Sequence, residues 1–247
     1  MEKVMIPGKN GYDIPCLRNF TGKERVIVIL SHGFSGSKES PPAYDFAEIM
    51  PELGIGSCSY DFPAQGDSLA DGTMLRIENC INDLASVEDY VRQQAPNAEI
   101  AYFSTSFGAY ITLIYFSKMQ YSGKKAILLS AAINMPNLLF DRTSQEEFQE
   151  LKRQGYSVMQ HNYPRPMKLS WGLYQDLDAH NLFEVYKPGQ AQIHMIHGDK
   201  DELVPLKIAN EFAHKFSAEL TVIPEADHFF RDRGSLEQVL NIAKRFY

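Results

Sequence analysis

Apolar and polar residues along this chain fall into two alternating rhythms. Short runs rich in β-branched and aromatic residues occupy positions 16–20, 26–31, 55–61, 99–104, 126–130, 193–197 and 219–223. Several are almost continuously apolar, most clearly the run from Val26 to Leu30, and a strand needs that only when both of its faces are buried. Between the runs the spacing becomes helical. Ile77, Ile81, Leu84, Val87 and Val91 make one stripe; Val204, Ile208, Phe212 and Phe216 make another, with Pro205 suited to a first turn. A last helix is predicted to open at Ser235, with Gln238 as its capping-box partner and Leu236, Val239, Leu240 and Ala243 facing inward. Strand and helix in alternation predict an α/β fold, a mostly parallel central sheet with helices on both faces.

The alternation lapses between residues 133 and 188, where no strong strand run occurs. Ser144 and Glu147 form a capping pattern for a helix that Gly155 would end; prolines follow at 164 and 166, and a second helical stretch is expected near residues 169–177. This is too long for a plain connection in a compact domain. The expected organisation is a core of residues 1–132 and 189–247, with residues 133–188 inserted as a helical cap, or lid.

Composition narrows the function classes. Of 247 residues, 44% are hydrophobic and 22% charged, ordinary globular values, and a formal net charge of -7 disfavours nucleic acid or an anionic membrane as partner. The N-terminus has no signal-peptide core, and no apolar stretch is long enough to span a bilayer. Cys16, Cys58 and Cys80 are odd in number, widely spaced and form no C-x-x-C, so they are expected to be small core residues. The expectation is a soluble cytoplasmic protein without metal or cofactor; a homodimer is left open.

Candidate chemistry begins after the run at 99–104. Ser104-Thr105-Ser106-Phe107-Gly108 lies between a β run and a helical pattern, the strand–turn–helix context of a nucleophile elbow. Such a turn lifts Ser106 to the sheet's edge at a helix N-terminus, where backbone amides favour developing negative charge. By itself the motif also fits a serine-rich loop between strand and helix. A second signal is His32-Gly33-Phe34 directly after the run at 26–31, which assigns the amides of Phe34 and Phe107 as an oxyanion hole. Gly33 would let that chain turn, and His32 suits a structural hydrogen bond.

The order serine, acid, histidine leaves one strong base. His161 and His180 fall in the insertion, His194 in a strand, His197 in another His-Gly turn and His214 on a helix. His228 alone lies between the last strand run and the last helix. The acid comes from Asp199, Asp201 or Glu202; Asp201 is favoured because it sits further beyond its strand, whereas Asp199 suits local capping.

Ser31–Ser37, Asp61–Ser68, Ser104–Ala109, His197–Pro205 and Ala226–Phe230 occur in the order found in α/β-hydrolases. The chain resembles the serine esterase and S33-peptidase-like branch, and particularly small bacterial feruloyl or cinnamoyl esterases with an inserted cap. The resemblance implies the α/β-hydrolase fold, a small-molecule ester substrate and Asp201 as the acid. A thioesterase, amidase, peptidase or acyltransferase would use the same triad, and a non-catalytic binder the same fold. Ser104 and Ala64 stand where the family pattern has glycine, and the loop holding Ala64 and Gln65 is usually structural. In the insertion, Trp171 and Tyr174, with Tyr163, Phe140 and Phe183 nearby, are candidates to line a slot for a flat acyl group.

Overall fold

In the computed structural model, described for residues 1–118, 124–141, 143–159, 167–188 and 191–247, the predicted rhythm becomes an eight-stranded sheet. In chain order the strands are β1 (Glu2–Pro7), β2 (Asp13–Asn19), β3 (Val26–Ser31), β4 (Ile55–Tyr60), β5 (Glu99–Thr105), β6 (Lys124–Leu129), β7 (Tyr156–Met159), β8 (Met167–Ser170), β9 (Ala191–Gly198) and β10 (Glu219–Ile223). The helices are α1 (Ala43–Ile49), α2 (Ile77–Gln94), α3 (Phe107–Lys118), α4 (Met135–Phe140), α5 (Gln145–Gln154), α6 (Trp171–Asp178), α7 (Leu182–Val185), α8 (Leu206–Phe216) and α9 (Arg233–Phe246). The sheet runs β1-β2-β4-β3-β5-β6-β9-β10. Within this sheet, among the described residues, only the β1–β2 and β2–β4 pairs are antiparallel.

Two clusters explain the continuous apolar strands. Ile27 and Ile29 of β3 pack with α2 and α3 on one face, while Val26, Val28 and Leu30 pack with α1 and α9 on the other. Alternate side chains of one strand therefore enter different cores, and neither set can be polar. All three cysteines are free and buried. No helix among the described residues is long and apolar enough to cross a membrane.

Four details differ from the pattern read above. β1 is an edge strand in which only Ile6 is buried, so it carries almost no apolar signal. Residues 133–188, expected above as an inserted cap, hold a short antiparallel hairpin, β7 with β8, as well as helices. Helix α9 is capped by Asp232, whose side chain accepts from Ser235 N–H; Ser235 is inside the helix and not its cap. Helix α8 buries Ala209, Phe212 and Ala213, while Ile208 and Phe216 are only partly covered. The capping box at Ser144 and Glu147 and the left-handed Gly155 end α5 as expected. Leu151, Leu173, Leu177 and Leu182 of this segment join the same cluster as α2 and α3, so its described residues share that core.

Candidate active site

Strand β5 delivers Ser106 into a tight turn: its φ is 51°, its N–H donates to Leu129 O, and its own carbonyl accepts from Tyr110 in the first turn of α3. Packing sets the neighbouring residue types. A Cβ on Gly108 would lie 2.4 Å from Ser31 O, so α3 can reach β3 only with glycine there. Ser104, where glycine was expected, is fully buried and pairs its hydroxyl with Thr112 on α3 at 2.8 Å. The departure is therefore satisfied internally and leaves the turn intact.

The loop after β3 passes beside this serine; a Cβ on Gly33 would sit 3.4 Å from Ser106 Cβ and 4.0 Å from its Oγ. Glycine there leaves room at the hydroxyl, and the left-handed residue of the turn is Ser35, with φ of 59°. Gly33 O accepts from Gly36 N–H at 3.0 Å and meets His32 Nδ1 at 2.7 Å. Phe62 N–H donates to His32 Nε2 at 3.2 Å, which requires a neutral ring carrying its proton on Nδ1. Burial favours that form by lowering the His32 pKa, against opposing contributions from Gly33 and Asp61. His32 is thus a strut between the loops after β3 and β4. Among the described residues, neither Phe34 N–H nor Phe107 N–H donates to a backbone carbonyl, and their rings meet edge to face at 5.5 Å.

His228 lies in the loop after β10, buried, and its Nδ1 is 2.7 Å from Asp201 Oδ2. Asp201 is fully engaged: Oδ1 accepts the amides of Leu203 and Val204 at 2.9 and 2.8 Å, and Oδ2 also lies 3.2 Å from His197 Nε2. Burial pushes this carboxyl up, but the hydrogen bonds from His197 and His228 outweigh it and hold it well below the usual carboxylate range. Asp199 instead accepts from Glu225 N–H at 2.7 Å, away from His228. Ser130 Oγ donates to His228 O at 3.0 Å, tying the histidine loop to the residue after Leu129, the acceptor of Ser106 N–H. Among the described residues, Ser106 Oγ and His228 form no hydrogen bond with each other.

Among the described residues, seven non-glycine residues adopt positive φ: Ser35, Ala64, Ser106, Ser130, Ser217, Glu225 and Phe230. All but Ser217 follow the carboxyl ends of strands, so backbone strain concentrates on the edge where Ser106 and His228 lie. A cavity of about 590 Å³ elsewhere, between β10 and α9, contains none of these residues.

The family model described as serine aminopeptidase, S33 matches residues 22–171. The chain belongs to that family. No curated protein matches its sequence. Solved structures similar to this S33 hydrolase cover nearly all of it. Est1E from Butyrivibrio proteoclasticus is 19% identical with a TM-score of 0.75, over 100% of this chain and 97% of its own. Mouse alpha/beta hydrolase domain-containing protein 10 is 17% identical with a TM-score of 0.76, over 99% and 98%. An α/β serine hydrolase without lid from Xanthomonas campestris is 18% identical with a TM-score of 0.66, over 99% and 92%. These likenesses establish the α/β-hydrolase fold.

Trp171 and Tyr174, the candidates for an acyl slot, contact other rings of residues 133–188. Trp171 stacks on Tyr174 and meets Phe148 edge to face, with Lys152 over its ring. Tyr174 is buried against Phe140 and Phe148, and its hydroxyl lies 3.0 Å from Thr143 Oγ1. Phe183 packs on Phe212 of α8. Among the described residues, the ring contacts and hydrogen bonds of Trp171 and Tyr174 all lie within the insertion. The rings pack α4, α5 and α6 against one another. Tyr163 and His161 lie outside the described residues.

Proposed function

We propose that this chain hydrolyses carboxylic esters through an acyl-enzyme, with Ser106 as nucleophile, His228 as general base and Asp201 as the carboxylate that orients it. The observation that carries the reading is the 2.7 Å Asp201–His228 bond. It places the histidine proton on Nδ1 and leaves the Nε2 lone pair for the serine. Substrate binding would draw Ser106 Oγ and His228 Nε2 into hydrogen-bond reach, as contacts of this kind tighten in the bound complex. Ser106 Oγ then bonds to the ester carbonyl carbon and passes its proton to His228. The amides of Phe34 and Phe107 receive the oxyanion. Collapse breaks the carbon–alkoxy bond, and His228 returns the proton to the departing alcohol. Water, activated by the same histidine, releases the acid.

Residues 133–188 are proposed to cap this edge. Ala132 N–H bonds to Ser106 O at the start of the segment, and Tyr110 OH donates to His180 O further along it. A structure of Est1E holds ferulic acid, which makes hydroxycinnamoyl esters the first acyl class to test. The family description favours a second reading, cleavage of peptide amides. A fluorophosphonate probe should label Ser106 and leave Ser106→Ala unlabelled, and a panel of aryl esters, short aliphatic esters and aminoacyl amides then ranks the substrates. No labelling of the folded protein would overturn the mechanism, and turnover of amides over esters would install the second reading.

A further inference from the structure

Gln65 is fully buried in the loop after β4, and its Oε1 accepts the N–H of Ser35 at 2.7 Å. Resting on the function proposed above, we propose that Gln65 is a positioning residue that keeps the Phe34 amide aimed at the oxyanion.

The path runs through one turn. Gly36 N–H donates to Gly33 O across Phe34 and Ser35, and of these two only Ser35 has positive φ. That combination is a type II turn, whose third position favours glycine. Serine holds it against the Cβ clash that disfavours left-handed residues. If Ser35 relaxes out of the left-handed region, the turn opens and the Ser35 N–H swings away from Gln65. The Gln65 acceptor opposes that opening, because it bonds Ser35 N–H only in the type II orientation.

Closure of the turn sets the amide direction. Gly33 O and Phe34 N–H belong to the same planar trans peptide and point opposite ways. The donors on Gly33 O therefore aim Phe34 N–H, and one of them, Gly36 N–H, is in place only while the turn stays closed. Gln65 is itself fixed. Its N–H bonds to Phe62 O at 3.0 Å, Ser68 N–H bonds to its carbonyl at 2.9 Å, and Ala64 and Gly66 on either side have positive φ. Its Nε2 has no hydrogen-bond partner among the described residues, a donor whose burial lowers stability. Methionine would fill the same space without that burden. Retaining glutamine here fits the acceptor being the useful atom.

Three variants and one exchange measurement test this. Gln65→Met should lower kcat for an activated ester roughly 10- to 100-fold, part of what loss of an oxyanion donor brings, with KM changed less than about twofold. A trifluoromethyl ketone, whose hemiketal oxygen mimics the oxyanion, should bind that variant more weakly by a similar factor. Gln65→Glu keeps the acceptor and should retain most of kcat. Ser35→Gly accepts the turn without help, so adding it to Gln65→Met should recover most of the loss, which repair of a general packing defect would not. In the unaltered protein the Ser35 amide should exchange slowly although Ser35 itself is exposed. Fast exchange there, unchanged kcat in Gln65→Met, or a loss that Ser35→Gly does not recover overturns the proposal. If Ser106→Ala retains turnover, the proposed function falls and this role with it, whereas inactivity of Ser106→Ala beside normal Gln65→Met sinks only this role.

Discussion

Two aspartates two residues apart, Asp199 and Asp201, illustrate how position along a loop decides which partner a carboxylate meets. Asp201 reaches His228, whereas Asp199 turns back to hold Glu225 N–H, a residue with φ of 58°. Asp201→Asn should lower kcat by up to about 10⁴-fold, because the amide would present the wrong partner to His228 Nδ1. Asp199→Asn should leave kcat within a few-fold and lower stability by roughly 0.5–1.5 kcal/mol. Steady-state kinetics and thermal melts on both variants check this, and the opposite pattern would move the acid to Asp199. Asp201 also links the site to acid stability. Its folded pKa lies below the unfolded value, so its contribution is present above about pH 4 and is lost as pH falls through the folded pKa.

Elements carry a different set of consequences. Asp83 on α2 is buried beneath the turn joining β1 to β2, where Tyr12 OH donates to it at 2.9 Å and Asn10 Nδ2 at 3.4 Å. Burial raises its pKa to about 7, with the Tyr12 and Asn10 bonds pulling the other way. A folded pKa above the unfolded one means stability is greatest in acid and is lost as pH rises through about 7. Asp83→Asn should therefore raise stability at pH 8, by roughly 1–3 kcal/mol, and much less at pH 5. Equal effects at the two pH values would show that ionisation is not the cause. Within the insertion, Trp171→Ala should lower stability by about 3 kcal/mol or less, and Tyr174→Phe, which loses the Thr143 contact, by about 1 kcal/mol. Neither should change the ratio of kcat/KM between hydroxycinnamoyl and short aliphatic esters; a shift of tenfold or more would return them to the acyl site.

These elements also show what the sequence makes visible. The run from Val26 to Leu30 is legible because burial on both faces forbids polar residues, and the α2 stripe because one face is buried over many turns. β1 is illegible for the opposite reason, since five of its six residues are exposed or only partly buried. The aromatics of the insertion were conspicuous, but residue type does not say whether a ring faces a substrate or another ring. Ser106, Asp201 and His228 stand out as candidates because loop order in this fold constrains which residues can meet, and the structure joins Asp201 to His228. Gln65 had no such marker: its role depends on the conformation of Ser35, thirty residues earlier.

At the scale of the whole molecule, the sheet separates two kinds of buried polarity. At its amino end Lys124 and Glu88 pair at 2.9 Å, with Tyr102 and Tyr115 hydroxyls also on Glu88. The Glu88 carboxyl falls to about 2, as attraction from Lys124 and those hydrogen bonds outweigh burial. At the carboxyl edge the strain sits in the backbone. Ser106→Gly should melt at a higher temperature than Ser106→Ala by about 2–4 °C, because only glycine relieves a φ of 51° without a Cβ. Calorimetry on the two variants decides it, and equal melting temperatures would remove strain from the account. The elbow therefore makes a forecast about descent. A gene copy released from selection for turnover should drift toward glycine at position 106 before its core decays, gaining robustness as it loses chemistry. On the proposed function, serine at that position, in any lineage that keeps it, marks continuing selection on the reaction itself.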